Sequence, residues 1–306
     1  MLRTWLTDRF GVTVPVVSAP MAGVSGGALA AAVSTAGGLG MVGIGYDAPA
    51  VVTAEADVAR AGGRPFGIGL IAWFADSNPG LVEAAIAARP ALLSLSFGPY
   101  TGHVEAAQRE GIVVVTQVGT VDEARRAVDA GVDAVVARGS EGGGHGRGEV
   151  STLPLLEAVL DAVDVPVLAA GGIAGARALA AVVAAGAAGA LVGTAFLACT
   201  EGQNSSAARA AVVEAGETDT IYTTVLDIGR GIPWPAEFGG RAVRNAFAAT
   251  WHGREAQLRA EGAKSDEPVV WAGQAVGLVR EERPAAAVVA DFAGAEALLR
   301  RFDAQP

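Results

Sequence analysis

Short apolar runs alternate with alanine-rich segments of helical period from the start of the chain to about residue 200. The apolar runs predict strands near residues 16–22, 39–44, 66–72, 92–98, 113–119, 133–139, 166–171 and 189–195. Most of them are continuously apolar, without polar alternation, as parallel strands covered on both faces require. Helices fit between them at 27–36, 50–61, 79–88, 103–110, 120–130, 153–163 and 175–185. Several of these stop at glycine, the residue that best accepts the left-handed turn after a helix. Two starts carry their own signals: Pro79 after Asn78 suits a first helical position, and Thr120 with Glu123 has capping-box spacing. Eight such units favour a (β/α)8 TIM barrel over an open doubly wound sheet.

After residue 200 the rhythm changes to a more charged stretch with bulky aromatics and the corner Gly231-Ile232-Pro233-Trp234-Pro235. We read 201–269 as a mainly helical insertion after the eighth strand. The stretch 270–306 then returns to the barrel of 1–200 and supplies its last helix. Trp234, Trp251 and Trp271 are candidates for lining a substrate cavity, with ordinary packing as the alternative. Residues 178–200 carry no charge, but Gly186, Gly189 and Gly193 interrupt them, which fits a buried helix followed by a buried strand and not a membrane span.

Composition narrows the function. A 306-residue chain that is 51% hydrophobic can bury a large core, and its net charge of −10 disfavours the basic face that nucleic acid needs. Charges scattered through the first ten residues break up any secretory signal, so a cytoplasmic location is expected. Cys199 is the only cysteine, which excludes intrachain disulfides and multi-thiolate metal sites. Nothing in the pattern decides between a monomer and a homodimer.

In such a barrel the chemistry sits on loops after the strands. The residues there include Met21, Gly45, Asp47, Trp73, Asp76, Phe97, Gln117, Glu141, His145, Gly171, Gly172 and Thr194, a set with one histidine and too few carboxylates for a metal centre. Lys264, the only lysine, lies in the insertion, which argues against Schiff-base chemistry. Cys199 reads as a small buried hydrophobe. Any enzyme built from these parts leaves its difficult step to a cofactor. Gly171-Gly172 and Gly193-Thr194, ending the seventh and eighth strands, are candidate phosphate loops, with Arg177 as a possible helper. The string from Gly38 to Gly43 spells a dinucleotide fingerprint but runs from helix into strand, the reverse of what that motif needs. His145 lies in the glycine-rich run 139–148, placed either for proton transfer or as an incidental residue of a flexible surface loop.

Four motifs in order, Ala19-Pro20-Met21-Ala22-Gly23, Gly139-Ser140-Glu141-Gly142-Gly143-Gly144-His145, Ala170-Gly171-Gly172-Ile173 and Gly193-Thr194-Ala195-Phe196-Leu197, together resemble the nitronate monooxygenase family, formerly the 2-nitropropane dioxygenases. Arg244-Asn245 and Ala272-Gly273-Gln274 extend the resemblance over nearly the whole chain. It implies a non-covalent FMN, its phosphate on Gly171, Gly172, Gly193 and Thr194 and its ring against Pro20, Met21 and Ala22. Gln117, Gly143 and Gly144 would approach the ring's polar edge and N5 region, with Gln274 also on the cofactor side. His145 would be the base that takes the α-proton of a nitroalkane, the products being a carbonyl compound and nitrite with O2 as co-substrate. The same motifs resemble NAD(P)H-dependent FMN reductases acting on quinones or enoyl thioesters, which is the alternative. The sequence departs from the family at Gly69, where an asparagine is frequent, and at Gly142-Gly143, where alanine or cysteine is common. The first departure removes a polar contact and the second suggests a loosened pocket edge.

Overall fold

The computed structural model describes residues 2–78 and 80–301. Eleven strands are present among them: β1 (Val16–Ser18), β2 (Gly40–Ile44), β3 (Phe66–Ile71), β4 (Leu92–Ser96), β5 (Val113–Val118), β6 (Ala134–Arg138), β7 (Gly144–Gly146), β8 (Val167–Ala170), β9 (Gly189–Val192), β10 (Thr220–Thr223) and β11 (Gly239–Val243). Eight form one parallel sheet in the order β1-β9-β8-β6-β5-β4-β3-β2. Its two edges meet through the bridge from Val17 to Leu39, where Ser18 N donates to Leu39 O (3.0 Å) and Leu39 N to Val16 O (2.9 Å). The sheet therefore closes into the expected (β/α)8 barrel.

Alternation along each strand separates two cores. Val17, Met41, Leu92, Val115, Val136, Leu168 and Leu191 fill the barrel lumen, and their neighbours in sequence face the outer helices. Leu6 and Phe10, on the helix Trp5–Phe10 that the sequence reading did not pick out, belong to the lumen cluster and plug its N-terminal end. Thr120 caps the helix Val121–Asp129 by accepting from Glu123 N at 3.1 Å. The Glu123 carboxylate reaches back one residue further than a capping box requires, to Gly119 N (2.7 Å). The proposed role of Pro79 falls outside the described residues, and the helix is described from Gly80 to Ala87. Helices Ala285–Ala293 and Ala295–Arg300 return from the insertion and pack on helices Gly27–Thr35 and Ala176–Ala184, supplying the barrel's last helical layer.

The insertion contains four helices, Ser206–Glu214, Val225–Arg230, Ala246–Trp251 and Glu255–Glu261, and also the antiparallel pair β10 and β11. That pair takes in β7, the strand that carries His145, as its third member. Sequence reading missed this sheet because its strands are three to five residues long and far apart in the chain. The glycine string 38–43 lies mainly in β2, consistent with rejecting it as a dinucleotide motif.

Candidate active site

A cavity of about 560 Å³ opens at the C-terminal ends of the barrel strands. Its floor comes from the last inward-facing residues of the strands: Ser94 and Ser96 of β4, Gln117 of β5, Arg138 of β6 and Ala170 of β8. On the side of β2 and β3 the inward positions are glycines, and the turn after β1 folds over them. A side chain at Gly69 would collide with the Pro20 ring, and one at Gly43 would lie 2.5 Å from Met21 N. Pro20 therefore occupies the room a side chain would need at 69 in this structure.

The glycine run after β6 is held from three sides. From below, Arg138 donates to the carbonyls of Gly142 (2.8 Å), Gly143 (3.1 Å), Gly144 (2.8 Å) and Arg147 (3.1 Å). From the insertion, Arg241 Nε donates to Ser140 O (2.9 Å) and the Tyr222 hydroxyl to Gly146 O (2.8 Å). From the return segment, Gln274 N donates to Glu141 O (2.9 Å), and that segment is itself tied to the turn after β9 by Gly273 N donating to Thr194 Oγ1 (2.9 Å). A side chain at Gly143 would lie 2.5 Å from Gly273 N and one at Gly142 2.9 Å from Arg138 Nε. The two glycines thus permit a tight junction, which corrects the expectation of a loosened edge. Nor is this a flexible surface loop, since its backbone is clamped from three sides.

This clamp aims His145 into the cavity. Its Nε2 lies 2.9 Å from Asp227 Oδ2, and the two side chains are 11% and 5% exposed. The imidazole stacks on Trp234, with ring centres 3.6 Å apart and planes 5° from parallel, and Trp271 closes in at 4.5 Å. Gly240, the β11 partner of His145, leaves room for Trp271, whose ring would collide with any side chain there. Trp73 and Phe97 pack edge-on against Trp234 at 5.7 and 5.5 Å, extending an aromatic wall. A carboxylate can only accept, so Asp227 selects the tautomer with the proton on Nε2 and leaves the Nδ1 lone pair free. Among the described residues Nδ1 has no protein partner. Asp227 itself was missed by sequence reasoning. It lies 82 residues from His145, and only the β7–β11 pairing and the helix after β10 bring the two together.

The segments after β8 and β9 provide a different environment. Gly171 and Gly172 have φ of +108° and +72°, and Gly193 and Thr194 complete the lining there. The helix Ala176–Ala184 and the 3-10 turn Thr194–Phe196 both begin without a side-chain cap. An uncapped helix start offers unsatisfied N–H groups, and with the glycine backbone that lines the cavity at 171, 172 and 193 this end of the cavity suits a phosphate. Arg177 is exposed and does not line the cavity, which removes it as a helper.

Of the residues singled out from the sequence, Pro20, Met21, Ala22, Gly69, Gln117, Gly143, Gly144, His145, Gly171, Gly172, Gly193 and Thr194 all line this one cavity. Gln274 does not: its side chain is exposed, and its contribution is the backbone bond to Glu141. Glu141 anchors the loop, its Oε1 accepting from Thr152 N (3.1 Å) at the start of helix Thr152–Leu160. Trp234 and Trp271 line the cavity, whereas Trp251 packs on Phe247 outside it. Cys199 is fully buried, and burial pushes its thiol up to about 12. Among the described residues no group of His, Cys, Asp or Glu could hold a metal ion, and no helix is long and apolar enough to cross a membrane.

The family model for nitronate monooxygenase matches residues 3–85 and 76–294. The chain belongs to the nitronate monooxygenase family. This family is generally flavin-dependent. Nitronate monooxygenase npaC of Metarhizium robertsii is 33% identical, over 90% of this chain and 88% of its own length. A (3aS,4S,5R,7aS)-5-hydroxy-7a-methyl-1-oxo-octahydro-1H-indene-4-carboxyl-CoA dehydrogenase of Rhodococcus jostii is 36% identical over 74% of this chain, which spans only 64% of that relative's length. Among solved structures, FabK from Thermotoga maritima superposes with a TM-score of 0.87 at 29% identity, covering 99% of both chains. Nitroalkane oxidase from Streptomyces ansochromogenes superposes with a TM-score of 0.83 at 29% identity, covering 98% of this chain and 99% of that one.

Proposed function

We propose that the chain is an FMN-dependent monooxygenase that oxidises alkyl nitronates, and the neutral nitroalkanes that precede them, with O2 to carbonyl compounds and nitrite. One observation carries this reading: a histidine with a fixed tautomer, backed by a buried carboxylate, shares a cavity with a phosphate-shaped cradle. Gly171, Gly172, Gly193 and Thr194 would hold the FMN phosphate, and Pro20, Met21, Ala22, Gln117, Gly143 and Gly144 would border its ring. When bound, the flavin supplies the electron acceptor and the site of reaction with O2 that no side chain here provides.

The residues of the chain manage the proton. Nδ1 of His145 takes the α-proton of a neutral nitroalkane, because Nε2 is committed to Asp227. The imidazolium so formed lies between the Asp227 carboxylate and the π face of Trp234, both of which stabilise a cation. That imidazolium also offers a counter-charge to the nitronate. The aromatic wall of Phe97, Trp234 and Trp271, with Trp73 packed behind Trp234, excludes water from the alkyl part of the substrate.

Anaerobic mixing of the yellow protein with ethyl nitronate tests the reading, and bleaching of the flavin band is expected. His145→Asn should lose activity with neutral nitroethane while still oxidising pre-formed nitronate. An unchanged rate with nitroethane would remove His145 from the base role.

A second reading, an NAD(P)H-dependent reductase or dehydrogenase of an acyl thioester, has one feature in its favour. Arg230 and Val269 line both the cavity and a neighbouring groove of about 450 Å³, whose other side chains include Lys264, Asp266 and Glu267, so there is room beside the site for a long polar substrate tail. Bleaching by NADH or NADPH but not by nitronate would select it.

A further inference from the structure

At the top of the barrel lumen stands a positive charge with no carboxylate beside it. Arg138 ends β6 in the same inward phase as Ala134 and Val136, is 4% exposed and lines the cavity floor next to Gln117. Four carbonyls accept from its guanidinium, yet no ion pair to it occurs among the described residues. The other charged side chain acting on it is Arg241, which has the same sign, and burial draws the Arg138 pKa down to about 10, leaving Arg138 cationic at neutral pH. Carbonyl dipoles satisfy its donors without cancelling its charge, and a buried ion is costly unless an opposite charge meets it. Asp227, the buried carboxylate of the cavity, is engaged with His145. The phosphate has its own cradle at β8 and β9. What remains is the ring of the cofactor.

We propose that Arg138 sets the redox potential of the bound flavin, its buried guanidinium stabilising the negative charge that the isoalloxazine gains on reduction. The proposal rests on the FMN reading above. Two-electron reduction at neutral pH takes up two electrons and one proton, so the ring ends with one added negative charge. A cation in a low-dielectric floor favours that form over the oxidised one. A guanidinium serving the phosphate would favour both forms equally and leave the potential unchanged.

The test measures the midpoint potential of the FMN holoprotein by photochemical reduction against a reference dye, alongside the dissociation constant of oxidised FMN. Arg138→Gln is expected to lower the preference for reduced over oxidised cofactor at least tenfold, a fall of about 30 mV for a two-electron couple. Arg138→Lys, which keeps the charge but not the fork of donors to the loop, should retain most of the wild-type potential. Equal falls in both variants would assign the effect to loop geometry and overturn the proposal, as would an unchanged potential in Arg138→Gln. A third measurement needs no variant: sulfite, which adds to N5 and leaves the ring anionic, should bleach the wild-type flavin, and failure to form this adduct counts against the proposal. A protein that binds no FMN would instead overturn the cofactor reading itself, a distinct outcome.

Discussion

Replacing Asp227 with asparagine isolates the contribution of the dyad. The carboxylate accepts from Nε2 at 2.9 Å in a site where both side chains are nearly buried. Asparagine keeps the shape, loses the charge and can donate to Nε2, which would move the ring proton to Nδ1, the nitrogen that has to be free. A hydrogen bond to a charged group is worth about 1.5–3 kcal/mol. At about 1.4 kcal/mol per tenfold, that predicts a loss of roughly 10- to 150-fold in kcat/KM for proton abstraction. The assay follows O2 consumption with nitroethane and, separately, with pre-formed ethyl nitronate, and the readout is the ratio of the two kcat/KM values. Nitroethane should suffer the predicted loss and the nitronate far less, since its proton is already gone. Equal losses on both substrates, or no loss on either, would refute the assignment of Asp227 as the residue that positions His145. Weakening a buried hydrogen bond also costs about 1–3 kcal/mol of stability, so rates should be compared well below the variant's melting temperature.

Two further outcomes follow from packing and burial. Gly69→Asn restores the residue frequent in the family but drives its side chain into Pro20, and should cost about 1–3 kcal/mol by overpacking and weaken FMN binding, read as a lower Tm and a higher Kd; tighter FMN binding would show that the turn after β1 yields freely. Cys199 holds its proton up to about pH 12 when folded, whereas an unfolded thiol releases it near 8.5. The stability from this burial is therefore complete below about pH 8.5 and lost as pH rises toward 12, and Ellman's reagent should find the thiol only after denaturation.

The barrel was legible because its signal is local and repeated. Continuous apolar runs and intervening helical periods mark each unit independently, so the eight strands fall close to their predicted places. The residues proposed for the cofactor side converge on one cavity for a related reason, since Pro20, Gly171 and Gly193 each come within two residues of the end of a barrel strand. What remained hidden was built from distant pieces. Asp227 carries no local motif, and the sheet that brings it to His145 is made of strands too short to show a period. Gln274, expected on the cofactor side, instead turns its side chain to solvent and holds the glycine run through its backbone. Gly142 and Gly143 looked like missing side chains, and only the approach of Arg138 and Gly273 shows that there is no room for any.

The pairing of β7 with β11 has a consequence for how this protein can diversify. Residues proposed to seat the flavin come almost entirely from the first 200 positions, while Asp227, Trp234 and the strand that braces His145 come from 201–269. Substitutions in the later stretch can therefore retune proton handling and substrate choice with the prosthetic group left undisturbed. A chimera carrying another relative's 201–269 stretch should stay yellow yet turn over a different compound, provided its version of β11 still hydrogen-bonds to the histidine strand.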